Sequence, residues 1–275
     1  MLPIITKKEA DIILLANADS VRVSVDLGKS VQEIRIDGDN VVIGTEKVPL
    51  EEFKRLKPHT CYVIQENSLK KLVHFAVETN YYYKLVPTGD WPTITLSSTP
   101  MHRHIHISPK KAAEVMVSQI SPIKGIVLDT CCGLGYTAII SSKHANRVYT
   151  FEKDKYVLNI ASYNPYSLEL FNSKKIELHE SDVHCGIKKF KTNFFDRIIH
   201  DPPTYKYAPE LYSTEFYNEL FRVLKNGGKM YHYAPCPQKT RDRNFYTGIM
   251  KRLNSVGFKK VHYIAEASGV AVQKF

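Results

Sequence analysis

Two short segments of the chain combine residue types and spacing that can do chemistry. The first is Asp201-Pro202-Pro203-Thr204-Tyr205, which follows the apolar pair Ile198-Ile199. Proline has no N–H and a fixed φ, so two in succession stiffen the chain and leave carbonyls that can only accept. An Asp carboxylate beside such a carbonyl makes a fork for both hydrogens of an amine. Held this way, the nitrogen turns its lone pair toward an electrophile, and the carboxylate offsets the positive charge that grows on alkylation. The same three residues would also serve as a rigid strand exit.

The second segment is Val127-Leu128-Asp129-Thr130-Cys131-Cys132-Gly133-Leu134-Gly135-Tyr136. Gly133 and Gly135 allow a tight turn and a close approach of backbone to ligand. Glu152 lies 23 residues after Asp129, at the end of the next apolar run. A carboxylate at that distance can bind both hydroxyls of a ribose. Taken alone, a glycine turn is weak evidence and can be a structural bend, and the alternative for Asp182, which ends a third run, is a helix N-cap.

The elements that must position these residues are legible in the hydrophobic pattern. GIVLD (125–129), RVYTFE (147–152), KIELHESD (175–182), FDRIIHD (195–201) and KMYHYA (229–234) read as strands. Between them, YTAIISSKHA (136–145), DKYVLNIASYN (154–164) and EFYNELFRVLK (215–225) have helical spacing, the last ended by Gly227-Gly228. Ser108-Pro109 opens an earlier helix and NFYTGIMKRLNSVG (244–257) is the final one, with KKVHYIAE and VAVQKF closing as a strand pair. Alternating strands and helices predict an α/β fold with a mostly parallel sheet and a C-terminal antiparallel hairpin over 108–275. Residues 1–107 predict a small β-rich α+β domain, from alternating segments such as VRVSVDL (21–27), VQEIRID (31–37) and YYYKLVP (81–87) and a helix at 49–56.

The glycine turn resembles the first motif of class I (Rossmann-like) methyltransferases, D/E-x-G-x-G-x-G, matching at Asp129, Gly133 and Gly135 with Cys131 at the first glycine position. The resemblance implies S-adenosyl-L-methionine as cofactor. It implies that Asp129 organises the loop near the methionine amine, that Glu152 binds ribose, and that Asp182 faces adenine with Val183 beside it. Cys131, Tyr136, Thr137 and Lys153 would complete the cofactor contacts. Asp201-Pro202-Pro203 resembles the D/N-P-P-Y motif of methyltransferases that act on amino nitrogens of bases. There the residue after the prolines is usually the stacking aromatic. Here it is Thr204, so Tyr205 or Tyr207 would serve. The whole chain also resembles predicted archaeal class I methyltransferases with a small N-terminal domain, which share G-L-G-Y-T-A (133–138), D-P-P (201–203) and E-L-Y-S-x-E-F-Y (210–217).

Charge suggests the acceptor. Residues 1–100 hold 12 Lys and Arg against 13 Asp and Glu; residues 101–275 hold 26 against 15, a net of +11. A basic catalytic domain attracts polyanions. RNA is therefore the expected partner, with ribosomal RNA cytosine N4 the first expectation and tRNA an alternative; the base would have to be unpaired or flipped out. Arg103, Lys239 and Arg241 are candidate phosphate contacts. Residues 210–217 also resemble a segment of aminopropyltransferases, the polyamine synthases, which use the decarboxylated cofactor. The glycine turn here lacks the acid of their G-G-G-D-G.

The remaining features argue mainly by exclusion. The five cysteines are scattered with no C-x-x-C pair, which points away from zinc and disulfide chemistry. His102, His104 and His106 would share one face of a strand, but no carboxylate or cysteine cluster accompanies them, so no metal is expected. No apolar run nears the ~18 residues of a membrane span, and MLPIITKKEADIILL lacks the pattern of a signal peptide, so a cytoplasmic location is expected.

Overall fold

The computed structural model describes residues 2–235 and 243–275. The chain forms two compact units, Met1–Lys110 with Tyr156–Leu168, and Lys111–Lys155 with Glu169–Phe275.

The second unit is built on a seven-stranded sheet. Its strands are β1 (Ile126–Asp129), β2 (Arg147–Glu152), β3 (Ile176–Glu180), β4 (Phe195–His200), β5 (Leu224–Tyr233), β6 (Lys259–Ile264) and β7 (Gly269–Gln273). They lie in the order β3-β2-β1-β4-β5-β7-β6. Strands β1 to β5 run parallel; β7 is antiparallel to both β5 and β6. This is a Rossmann-like α/β sheet closed by an antiparallel hairpin. Central strands of a parallel sheet are covered on both faces, so they read as unbroken apolar runs. Val127, Leu128, Ile198, Ile199, Met230 and Tyr231 are accordingly all buried.

The connecting helices are α1 (Pro109–Ser118), α2 (Tyr136–Ser142), α3 (Lys155–Tyr163), α4 (Thr214–Val223) and α5 (Arg243–Val256). In α4 the Ser213 hydroxyl caps the N-terminus by accepting the Phe216 N–H at 3.0 Å. Phe216, Tyr217, Leu220 and Val223 then form one buried stripe. The helix stops at Val223, two residues before the expected end, because β5 begins at once. Gly227-Gly228 lies inside that strand, not after a helix. There the register with β4 shifts between Phe195 and Arg197, and Gly227 takes φ +77°. A bulge of this kind needs a residue free to adopt positive φ.

The first unit is β-rich. One four-stranded antiparallel sheet joins Ser20–Val23, Gln32–Asp37, Asn40–Ile43 and Glu46–Pro49 in sequence order. A second joins Val73–Ala76, Tyr81–Val86, Thr93–Leu96 and Thr99–Pro100, and a three-stranded sheet pairs Tyr62–Gln65 with Ile4–Ile5 and Ser68–Lys71. Helix Lys7–Leu14 packs with Leu50–Lys54 over a core that includes Ile13, Val41, Ile43, Phe53 and Ile64. Most of α3 belongs to this unit: Tyr156 stacks on His74 at 4.5 Å and its hydroxyl donates to Glu78 at 2.7 Å. Met101 to Ile107 form no strand, so the three histidines do not share a face. His102 instead meets the Thr93 hydroxyl at 3.0 Å through Nδ1, and burial holds its pKa down to about 4.

Candidate active site

The carboxyl ends of β1, β2 and β4 lie side by side, and each delivers one carboxylate. Asp129 pairs with Thr150 of β2 on one side and Ile199 of β4 on the other. Its side chain is fully buried and accepts hydrogen bonds from the Thr150 hydroxyl at 2.8 Å and the Thr137 hydroxyl at 3.2 Å. Burial pushes its carboxyl up to about 7; the charges of Asp201 and Glu152 add to the rise, and the two hydroxyls oppose it. Its bonds tie the end of β1 to β2 and to the first turn of α2.

Glu152 ends β2 and holds the glycine turn. One carboxylate oxygen accepts the Gly133 N–H at 2.9 Å and the other accepts the Asp154 N–H at 3.0 Å. Burial raises its pKa, with the backbone donors opposing. Gly133 and Gly135 take φ of +53° and +82°. A Cβ on Gly135 would lie 2.8 Å from Leu170 Cδ2, so the position excludes a side chain on two counts. Tyr136 and Thr137 open α2 and are buried. Cys131 and Cys132 have thiols pushed up well above their usual range by burial, and act here as small, protonated, apolar groups.

Asp182 caps a short helix at Val183–Gly186, accepting the His184 N–H at 2.8 Å. Its other oxygen lies 3.6 Å from Lys153 Nζ, which is also 3.6 Å from Glu210. Val183 itself is buried in the main core.

Asp201 follows β4. Burial alone pushes its carboxyl up to about 7, with no hydrogen bond from a described residue offsetting it. Pro202 is buried and Pro203 half-buried. The Pro203 carbonyl accepts the Tyr212 hydroxyl at 2.8 Å, and the Thr204 carbonyl accepts the Tyr207 N–H at 2.8 Å. Beyond this turn the rings of Tyr205 and Tyr207 are 54% and 47% exposed. Tyr205 presents its edge or face to Tyr212 at 5.7 Å and Phe245 at 6.4 Å, with Lys206 exposed beside it.

Of the residues expected to act, Asp129, Cys131, Gly133, Gly135, Glu152 and Asp201 gather at this one edge. Arg103 belongs to the first unit. Lys239 and Arg241 lie outside the described residues. Sequence reasoning missed Thr130, Thr150, His200 and Tyr212. The Thr130 hydroxyl and His200 Nδ1 are 2.8 Å apart, and His200 Nε2 meets the Leu211 carbonyl at 3.0 Å. Thr150 had one available signal: a hydroxyl residue within an apolar run, in register with Asp129.

The donor set fits a cationic, phosphate-free nucleoside. Carboxylates that can accept hydroxyl and amine protons stand at the ends of β1 and β2 and after β4, and Lys153, which follows Glu152, is already paired with Asp182 and Glu210. A diphosphate would find little to neutralise it.

Fold and site together define a class I S-adenosylmethionine-dependent methyltransferase. The family model described as "Methyltransferase small domain" matches residues 106–272, and the chain belongs to that family. It is 38% identical over 278 residues to the Methanocaldococcus jannaschii protein MJ1233, covering 98% of this chain and 95% of the relative. It is also 26% identical to a polyamine aminopropyltransferase of Prochlorococcus marinus over 66% of this chain and 62% of that protein. Among solved structures, spermidine synthase from Thermotoga maritima superposes with a TM-score of 0.54 at 17% identity, covering 70% of this chain and 68% of the other. At that identity the likeness is one of fold. Among the described residues no helix is long and apolar enough to cross a membrane, and no group of three His, Cys, Asp or Glu could hold a metal ion.

Proposed function

We propose that the chain methylates an exocyclic amino nitrogen of a base in RNA, with cytosine N4 of ribosomal RNA as the first candidate and tRNA as the second RNA class. The observation that carries this reading is the half-buried Asp201 carboxylate at the carboxyl end of β4, without a hydrogen-bond donor among the described residues and set beside two prolines. A partly desolvated carboxylate with no donor from the protein gains most from a ligand that supplies one. An NH2 group supplies two. One goes to Asp201 and the other to the Pro202 carbonyl, since the Pro203 carbonyl is occupied by Tyr212.

S-adenosylmethionine supplies an electrophilic methyl group. The chain's residues do the rest. Gly133 and Gly135 admit the cofactor to the turn, Glu152 takes the ribose hydroxyls, and Asp129 fixes the loop through Thr137 and Thr150. Asp201 orients the amine, offsets charge on the nitrogen as it is alkylated, and with a pKa near 7 can take the proton that nitrogen then loses. Tyr205, exposed beside Lys206, suits a base stacked on its ring with a phosphate near the ammonium. The excess of basic residues after position 100 supports a polyanionic partner.

The test is labelled-methyl transfer from S-adenosylmethionine to unmodified ribosomal RNA transcripts, followed by nucleoside analysis. Label on a base amine in the wild type, absent in Asp201→Ala, supports the reading. Label on a ribose or ring carbon, or none, refutes it. A second reading, aminopropyl transfer to a polyamine, is favoured by the likeness to polyamine aminopropyltransferase and by the acidic sheet edge. Calorimetric titration separates the two, because an aminopropyltransferase would prefer the decarboxylated cofactor and label no RNA.

A further inference from the structure

The acceptor turn cannot hold itself. Pro202 and Pro203 have no N–H to donate, so the segment can be fixed only through its carbonyls, by donors from elsewhere. Two donors do this. The buried Tyr212 hydroxyl donates to the Pro203 carbonyl at 2.8 Å. His200, the residue before the turn, meets the carbonyl of Leu211, the residue before Tyr212, at 3.0 Å through Nε2. A carbonyl only accepts, so Nε2 must carry the proton. Nδ1 is then bare and accepts the Thr130 hydroxyl at 2.8 Å. His200 is wholly buried and its pKa is held down to about 3, so it stays neutral and carries no proton in or out. Thr130 belongs to the cofactor turn, and its N–H donates to the Ile199 carbonyl at 3.0 Å.

From these contacts we infer that Tyr212 is a positioning residue for methyl transfer, with His200 as the strut that fixes it to the cofactor turn. By occupying the Pro203 carbonyl, the Tyr212 hydroxyl turns that peptide away from the acceptor and leaves the Pro202 carbonyl and the Asp201 carboxylate as the amine's two partners. The chain Thr130–His200–Leu211 then sets the distance between the acceptor pair and the loop that holds the methyl donor. Tyr212 and His200 both act through geometry alone, and their assignment rests on the reading of Asp201 as the amine-binding carboxylate.

The experiment compares Tyr212→Phe with Tyr217→Phe and Asp201→Ala in labelled-methyl transfer to unmodified ribosomal RNA transcripts. Tyr217 also buries its hydroxyl, which bonds His232 Nε2 at 2.7 Å and does not touch the turn. Both Phe variants keep their ring and lose a buried hydroxyl; Tyr217→Phe gives up bonds to His232 and Arg252, so it is at least as severe a control for stability. Tyr212→Phe is expected to lower kcat by about tenfold to a hundredfold, with KM for the transcript and Kd for the cofactor within about twofold. Tyr217→Phe is expected to keep the wild-type kcat. Equal losses in the two Phe variants would mean general destabilisation and overturn the inference. Wild-type kcat in Tyr212→Phe, with Asp201→Ala inactive, would overturn it while sparing the amine reading. An active Asp201→Ala, or a wild type that labels no transcript, would remove the amine reading and this inference with it.

Discussion

Glu152 accepts the backbone N–H of Gly133 at 2.9 Å, so the carboxylate proposed to take the ribose hydroxyls also shapes the glycine turn. Losing it removes a ligand contact and loosens the loop at once. Glu152→Ala is expected to weaken S-adenosylmethionine binding by about tenfold to a hundredfold, the range for a hydrogen bond to a charged group. Glu152→Gln keeps an acceptor and should fall between. Calorimetry on the purified variants reads both. Unchanged affinity in Glu152→Ala would remove this residue from the cofactor site.

Asp201 has a consequence for stability as well as for transfer. Its carboxyl sits near 7 in the folded protein, above its ordinary value of 3.8. Between those values the folded chain binds the proton more tightly than the unfolded chain. Stability from this group is therefore complete below about pH 4 and is lost as pH rises through about 7. Asp201→Asn lacks that loss. It is expected to melt at least about 2–4 °C above the wild type at pH 8, with the gap closing toward pH 4. Thermal melts across that range check it, and a gap that widens on acidification would contradict the sign.

Tyr205 separates stacking from amine binding. Tyr205→Ala is expected to raise KM for the RNA by about fivefold to a hundredfold, as loss of one base–aromatic stack does, with kcat much less affected. Tyr205→Phe should keep most of the affinity, because the ring and not the hydroxyl is used. Filter binding and steady-state rates measure both. Identical behaviour of the Ala variant and wild type would pass the role to Tyr207 or to no aromatic.

Gly135→Ala tests the cofactor turn from the backbone side. The residue takes φ +82°, and the new methyl would stand 2.8 Å from Leu170 Cδ2. Positive φ costs an L-residue about 1–2 kcal/mol before the clash is counted. Loss of roughly 2 kcal/mol of stability and a weakened cofactor are expected, read by denaturant unfolding and calorimetry. A neutral substitution would mean that Leu170 and the turn adjust freely.

Much of the fold could be read from the pattern, for physical reasons that also explain the failures. The five parallel strands are buried on both faces and so appear as apolar runs; β1, Ile126–Asp129, is the clearest. The hairpin at Asp37–Asn40 is announced by Gly38, which takes φ +57°. Glu46–Pro49 and Ser68–Lys71 escaped notice because edge and near-surface strands carry lysine, glutamate and proline, whose types do not alternate cleanly. Helix Lys7–Leu14 carries its signal in Thr6 and Glu9, a capping box too short-ranged to stand out from the surrounding apolar and basic residues. In the site, carboxylates and glycines stood out by type and spacing. His200, Thr130 and Tyr212 did not, because their role is a set of contacts between residues 70 or more apart, or between one side chain and one carbonyl.

The clasp on the acceptor turn has a consequence for how such a protein diversifies. Asp201, the prolines, the exposed ring of Tyr205 and the Tyr212 hydroxyl all lie within His200–Tyr212, one unbroken stretch of sequence. The donor half, Asp129 to Glu152, is another, and the two meet chiefly through Thr130 and His200. A lineage could therefore exchange the acceptor stretch as a single cassette, acquiring a new target while inheriting its methyl-donor machinery intact.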